Sequence, residues 1–125
     1  MGNSKENICA GGPALIFACS GAADVGEISD SAARQLNSEG AGKMFCLAGI
    51  GGRVRGIMET TQNAAHILAI DGCSLDCVKL CIEEAGFMEF DHMRVTDLGL
   101  EKGKSPATDE NIVAVVKAAK EKLPS

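Results

Sequence analysis

Three times in succession along this chain a short apolar run gives way to a turn of small residues and then to a segment of helical character. Ala14-Leu15-Ile16-Phe17-Ala18, between Pro13 and Ser20-Gly21, has the unbroken apolar character of a parallel strand buried on both faces. From Asp24 the period changes, and Val25, Ile28, Ala32 and Leu36 recur on one helical face, with Gly40 just past the end. Lys43 to Ala48 reads as a second strand, Gly49-Ile50-Gly51-Gly52 as its loop, and a helix follows from Arg55 or Gly56 to near Asn63. His66 to Ile70 is the third strand, and Leu75, Val78, Ile82 and Ala85 mark a helix face stopped by Gly86. His92 to Thr96 reads as an edge strand and Lys104-Ser105-Pro106 as a loop. Ile112, Val116, Ala119 and Leu123 form the stripe of a last helix opened by Thr108 or Asp109. Strands alternating with helices over short connections predict an α/β fold: one small doubly wound, Rossmann-like domain of about four parallel strands with helices on both faces. A chain of 125 residues has room for one such core. We assign residues 13–125 to it and 1–12 to an N-terminal tail.

Composition narrows the function. A net charge of -5 and 3% aromatic residues, with neither Trp nor Tyr, leave little to neutralise phosphates or stack on bases, so no nucleic-acid partner is expected. The uncharged stretch Asn7 to Ala23 is interrupted by Gly11-Gly12-Pro13 and lacks a basic leader, so it reads as a route into the first strand rather than an export signal. No apolar run approaches the roughly 18 residues of a membrane span. The expectation is a cytoplasmic protein with no membrane partner, whose thiols stay reduced unless they bind something.

The six cysteines are what the architecture makes informative. Cys19, Cys46 and Cys73 fall at equal sequence intervals, each at the C-terminal end of its strand and in the same phase of the repeat. All such ends lie on one edge of a parallel sheet, the edge where open α/β domains bind ligands. With strands about 4.8 Å apart, three neighbouring ends bring their side chains within about 10 Å of one another. Cys77 is a fourth candidate, one helical turn beyond Cys73 if both lie on the third helix, and both sulfurs could then reach one ion at a Zn–S distance of about 2.3 Å. Cys81 lies too far along that helix from Cys73 to share an ion with it and reads as a small buried hydrophobe. Cys9 precedes the first strand and is left out. Helix N-termini at the same edge, and Arg53 and Arg55 in the second loop, could offset thiolate charge, although solvated arginines explain the last two equally well.

Cys19-Ser20-Gly21, Cys46-Leu47-Ala48-Gly49 and Ile70-Asp71-Gly72-Cys73 with Cys77 together resemble the DGC-domain family, named after its Asp-Gly-Cys motif and described as zinc-binding for four cysteines able to chelate. The likeness spans roughly residues 14 to 102. It implies a metal-ion partner held by Cys19, Cys46, Cys73 and Cys77, the set the spacing selects. The expected cofactor is zinc, with an iron-sulfur cluster on the same ligands as the alternative; the spacings match no ferredoxin pattern. The function expected is zinc binding in metal or sulfur handling, with no protein partner identified and no enzyme activity required. The alternative is a sulfur-transfer or thiol-redox enzyme using Cys19 or Cys73 as its thiolate.

Other motifs fail on chemistry. Gly21 and Gly26 have P-loop spacing, but Glu27 and Ile28 occupy the positions of its Lys and Ser/Thr. No dinucleotide fingerprint follows the first strand, and no Cys-x-x-Cys occurs. His66 and His92 stand near the starts of their strands, which puts them at the far edge of the sheet, away from the cysteines. Asp71 is expected to cap the third helix or shape its loop, in competition with Ser74. The helix dipole accounts for Asp76.

Overall fold

The computed structural model describes residues 13–124. The N-terminal tail and Cys9 lie outside them. The elements run β1 (Ala14–Ala18), α1 (Asp24–Ser38), β2 (Lys43–Met44), α2 (Leu47–Gly51), α3 (Arg55–Gln62), β3 (His66–Asp71), α4 (Cys77–Glu84), β4 (Asp91–Arg94) and α5 (Asp109–Lys120), with a 3-10 turn at Val95–Leu98. The four strands form one all-parallel sheet in the order β2-β1-β3-β4. Together with helices on both faces this is the expected Rossmann-like α/β domain.

Alternation along the central strands builds two cores. Ile16 and Ala18 of β1, with Leu68 and Ile70 of β3, face α1 and α5, and there Val25, Ile28, Ala32 and Leu36 meet Val115, Val116 and Ala119. Leu15 and Phe17, with Ile67 and Ala69, point the other way, onto Ile50 of α2, Ile57 of α3 and Val78 and Ile82 of α4. Both central strands are buried on both sides, which is why their sequences carry no polar alternation. Helix α5 is closed as its sequence dictates: Thr108 accepts from the Asn111 N–H, Asp109 and Glu110 stand in the first turn, and Lys117 and Lys120 in the last.

Two expectations need correction. The second strand is two residues long, not a run to Ala48, and the glycine string is mostly helix α2. A Cβ on Gly49 would lie 2.1 Å from Ile57 Cδ1, so with Ile57 in its present position the close approach of α2 and α3 uses the space that glycine leaves. The helix expected from Leu75, α4, begins only at Cys77. Leu75 lies in the loop before it, 63% exposed, and Asp76 precedes the helix in the left-handed region at φ 56°.

Candidate metal centre

Reversal of strand order between β1 and β3 opens a crevice at the C-terminal edge of the sheet, the position where doubly wound domains place ligands. Cys19 follows β1 and Cys73 follows β3, so they flank this crevice. The register pairs Ala18 with Ile70, and the Cys19 N–H donates to the Ile70 carbonyl at 3.0 Å. Cys46 follows β2 on the neighbouring strand and stands just before α2 rather than at a long strand's end. Cys77 is the first residue of α4. Cys73 lies in the loop before it, so the two are not helical neighbours, and the helical-turn geometry expected for that pair is replaced by a loop-to-helix step.

Close backbone packing holds the crevice. A Cβ on Gly26 would sit 2.7 Å from the Gly21 carbonyl oxygen, and one on Gly72 would sit 3.1 Å from the Gly26 nitrogen. The first turn of α1 therefore lies directly against both cysteine loops, and the Ser29 hydroxyl, with one proton to donate, stands within hydrogen-bond reach of both the Cys19 and the Gly26 carbonyls. Asp24 fixes a further loop by accepting from the Gly103 N–H at 2.9 Å and the Ser105 N–H at 3.1 Å. That loop delivers Lys102, whose Nζ stands 3.8 Å from Cys73 Sγ.

The thiols are electrostatic neighbours. Cys77 is exposed as a residue, yet desolvation of its thiol pushes it above its ordinary pKa. Negative charge on Cys19, Asp71 and Cys73 acts in the same direction, while Lys102 opposes them. The donor set is chemically suited to zinc, a borderline-soft ion that takes thiolate sulfur. Ligand closure still requires movement, because among the described residues no three cysteine sulfurs lie within 4.8 Å of one another. Cys46 and Cys77 are exposed, and each has a single χ angle with which to turn inward. Arg53 and Arg55 do not serve this edge: Arg53 donates to the carbonyls of Ile50, Gly51 and Glu84, and Arg55 is exposed beside Glu59.

Asp71 has the capping role, not Ser74. Its buried carboxylate accepts from the Val78 N–H at 2.7 Å and the Lys79 N–H at 3.1 Å, closing the start of α4 from the end of β3. His92 overturns the expectation that put it at the far edge. Strand β4 joins the sheet late, with Asp91 level with Leu68 and His92 with Ala69, so His92 Nε2 reaches Asp71 Oδ2 at 2.8 Å and stands 3.6 Å from Asp76 Oδ1. Arg94 grips both oxygens of Asp76 at 2.7 Å, and this holds the Asp76 carboxyl below the ordinary carboxylate range. Asp71, Asp76 and His92 are gathered within 4.8 Å, but the carboxylates are already engaged by backbone N–H groups and Arg94, so the group is a structural network behind Cys73 and Cys77. His66 is at the far edge as expected, 3.1 Å from Asp91.

Residues 15–119 match the family described as DGC domain. The "Anaerobic and virulence modulator AnvM" of Pseudomonas aeruginosa is 34% identical over 88 residues, covering 70% of this chain and 67% of that protein. No solved structure matches the chain. No helix among the described residues is long and apolar enough to cross a membrane.

Proposed function

The chain belongs to the DGC-domain family, and on that premise we propose that it binds one Zn²⁺ through Cys19, Cys46, Cys73 and Cys77 and acts in metal or sulfur handling in the cytoplasm. The observation that carries the reading is positional: Cys19 and Cys73 flank the β1/β3 crevice, Cys46 comes from the adjoining strand and Cys77 heads the helix that follows Cys73. A bound zinc ion would neutralise part of the thiolate charge and tie three strand ends together. Four thiolates around Zn²⁺ leave a formal charge of about -2, and Lys102 stands where it offsets that charge. Asp71 and His92 fix the start of α4, and with it Cys77, from the neighbouring strands.

The Pseudomonas relative is named as a modulator and not for a reaction, which agrees with a binding role. Two buried cores on either side of the sheet give the domain a hydrophobic interior independent of metal, so the site is available for more than structural cross-linking. Cobalt substitution tests the ligand set. With no Trp or Tyr in the chain, sulfur-to-cobalt charge-transfer bands stand clear in the near ultraviolet. Intense bands that weaken stepwise in Cys19→Ser and Cys77→Ser support the reading; a spectrum unchanged by either substitution overturns it.

A further inference from the structure

Between the 3-10 turn and α5 the chain forms a strap that a single side chain holds in place. Asp24, the first residue of α1, accepts from the Gly103 N–H on Oδ1 at 2.9 Å and from the Ser105 N–H on Oδ2 at 3.1 Å, although both are distant in sequence. Within the strap the Glu101 N–H donates to Ser105 Oγ at 2.7 Å and the Lys104 N–H to the Glu101 carbonyl at 3.0 Å, so residues 101–105 are folded on themselves. Ser105 is buried at the base, and Leu100 packs on the core shared by α1 and α5. Gly103, at φ 88°, makes the turn in the left-handed region that favours glycine. Lys102 is left exposed at the tip, with Nζ 3.8 Å from Cys73 Sγ. Its charge also opposes the upward push on the Cys77 thiol, so one ammonium group acts on two of the four candidate ligands.

From this arrangement we propose that Asp24 is a positioning residue for the metal site: by latching the strap at Gly103 and Ser105 it keeps Lys102 beside Cys73, and so governs how tightly the thiolate centre retains its ion. The inference rests on the zinc-binding reading and adds to it a control from outside the ligand set. Lysine has a long flexible stem, and an exposed charge pair made from a free loop gains little, because ordering the side chain offsets the attraction. A strap that fixes the lysine backbone lowers that cost. The carboxylate of Asp24 engages the backbone N–H groups of Val25, Gly103 and Ser105, so its effect on the thiols passes through the strap. Asp24 also opens the helix whose Gly26 packs on the Gly21 and Gly72 backbone, so the latch and the Cys19 and Cys73 loops share one support.

The test compares the whole chain with Asp24→Ala, Lys102→Ala and the double variant. Each is loaded with Zn²⁺ and titrated with a chromogenic zinc chelator, and amide hydrogen exchange is followed by NMR on the metal-free proteins. Each single substitution should weaken zinc retention by roughly 10-fold, the lower end for loss of a group outside the ligand shell. The double variant should be no weaker than Lys102→Ala alone, because the Asp24 effect vanishes once the lysine it positions is gone. A merely structural role would leave that effect in place. Without metal, the Gly103 and Ser105 amides should exchange faster in Asp24→Ala by roughly 10-fold or more, the cost of a lost bond to a charged acceptor. Asp24→Asn, which keeps one acceptor oxygen, guards against a disturbed α1 and should show the same pattern at smaller amplitude. Losses that add in the double variant, zinc retention indifferent to Asp24 or to Lys102, or exchange unchanged by both Asp24 substitutions overturns the proposal and leaves the zinc-binding reading standing. A parent chain that takes up no zinc defeats that reading itself, and this inference with it.

Discussion

Replacing Asp71 by Asn tests how the start of α4 is held. Asp71 is 1% exposed, and its two oxygens accept three hydrogen bonds, from Val78 N, Lys79 N and His92 Nε2. Each such bond to a charged acceptor contributes about 1.5–3 kcal/mol net. Asparagine is nearly isosteric but keeps only one acceptor oxygen. If that oxygen serves Val78, the new NH₂ faces Lys79 N–H and His92. The histidine can change tautomer and accept, whereas the Lys79 N–H becomes a donor facing a donor. One bond is lost outright and two lose their charge assistance, which places the cost at about 2–4 kcal/mol. Against a typical total of about 5–15 kcal/mol this is large. Urea unfolding of the metal-free protein, followed by far-ultraviolet circular dichroism, reads it directly. With a slope of about 1–3 kcal/mol per molar, the midpoint should fall by roughly 1 M or more at an unchanged slope. An Asn variant within about 0.5 kcal/mol of the parent, the range of ordinary surface substitutions, would refute the capping argument.

Gly26→Ala places a methyl group 2.7 Å from the Gly21 carbonyl oxygen, a backbone atom that cannot swing aside. It should destabilise by about 1–3 kcal/mol in the same urea assay, and a neutral result would show that the Cys19 loop is not packed as described. Asp24 has its carboxyl held below the ordinary value of 3.8, first by the Gly103 N–H. Its folded-state pKa is depressed, so its contribution is complete above the ordinary value and disappears as pH falls through the lower folded one. The Asp24→Asn variant should therefore lose part of the parent's stability decline below about pH 4, and a parallel decline in both proteins would contradict that. Lys102→Ala should weaken metal retention with little change in apo stability, because Lys102 is exposed and its Nζ reaches Cys73 Sγ. Rescue by Lys102→Arg would identify the charge as the cause; unchanged retention in Lys102→Ala would remove that role.

The parts of the fold legible in the sequence are those where one local signal meets no competitor. Strands β1 and β3 are apolar on both faces, and α1 buries each of the four residues its period singled out. The phase of Cys19, Cys46 and Cys73 survives because it depends on the order of elements rather than on their exact ends. Where the reading failed, a long-range contact decided. The glycine string forms α2, and Ile57 packs into the space that Gly49 leaves. The run from Leu75 has helical spacing, but the left-handed Asp76 delays the helix, and Cys73 stays in the loop. The height of His92 in the sheet is not fixed by its position within its own strand. The late register of β4 lifts it to Asp71, and an acidic residue closing one strand with a histidine in the next is the only sequence signal that could have suggested the pair.

The account turns on whether four particular thiols hold a native metal ion. Metal analysis of the protein purified without oxygen, beside its Cys19→Ser and Cys77→Ser variants, measures this most directly. The account predicts one zinc per chain in the parent and its loss in both variants. Full zinc retention in either variant, or a parent that carries no metal, would contradict it.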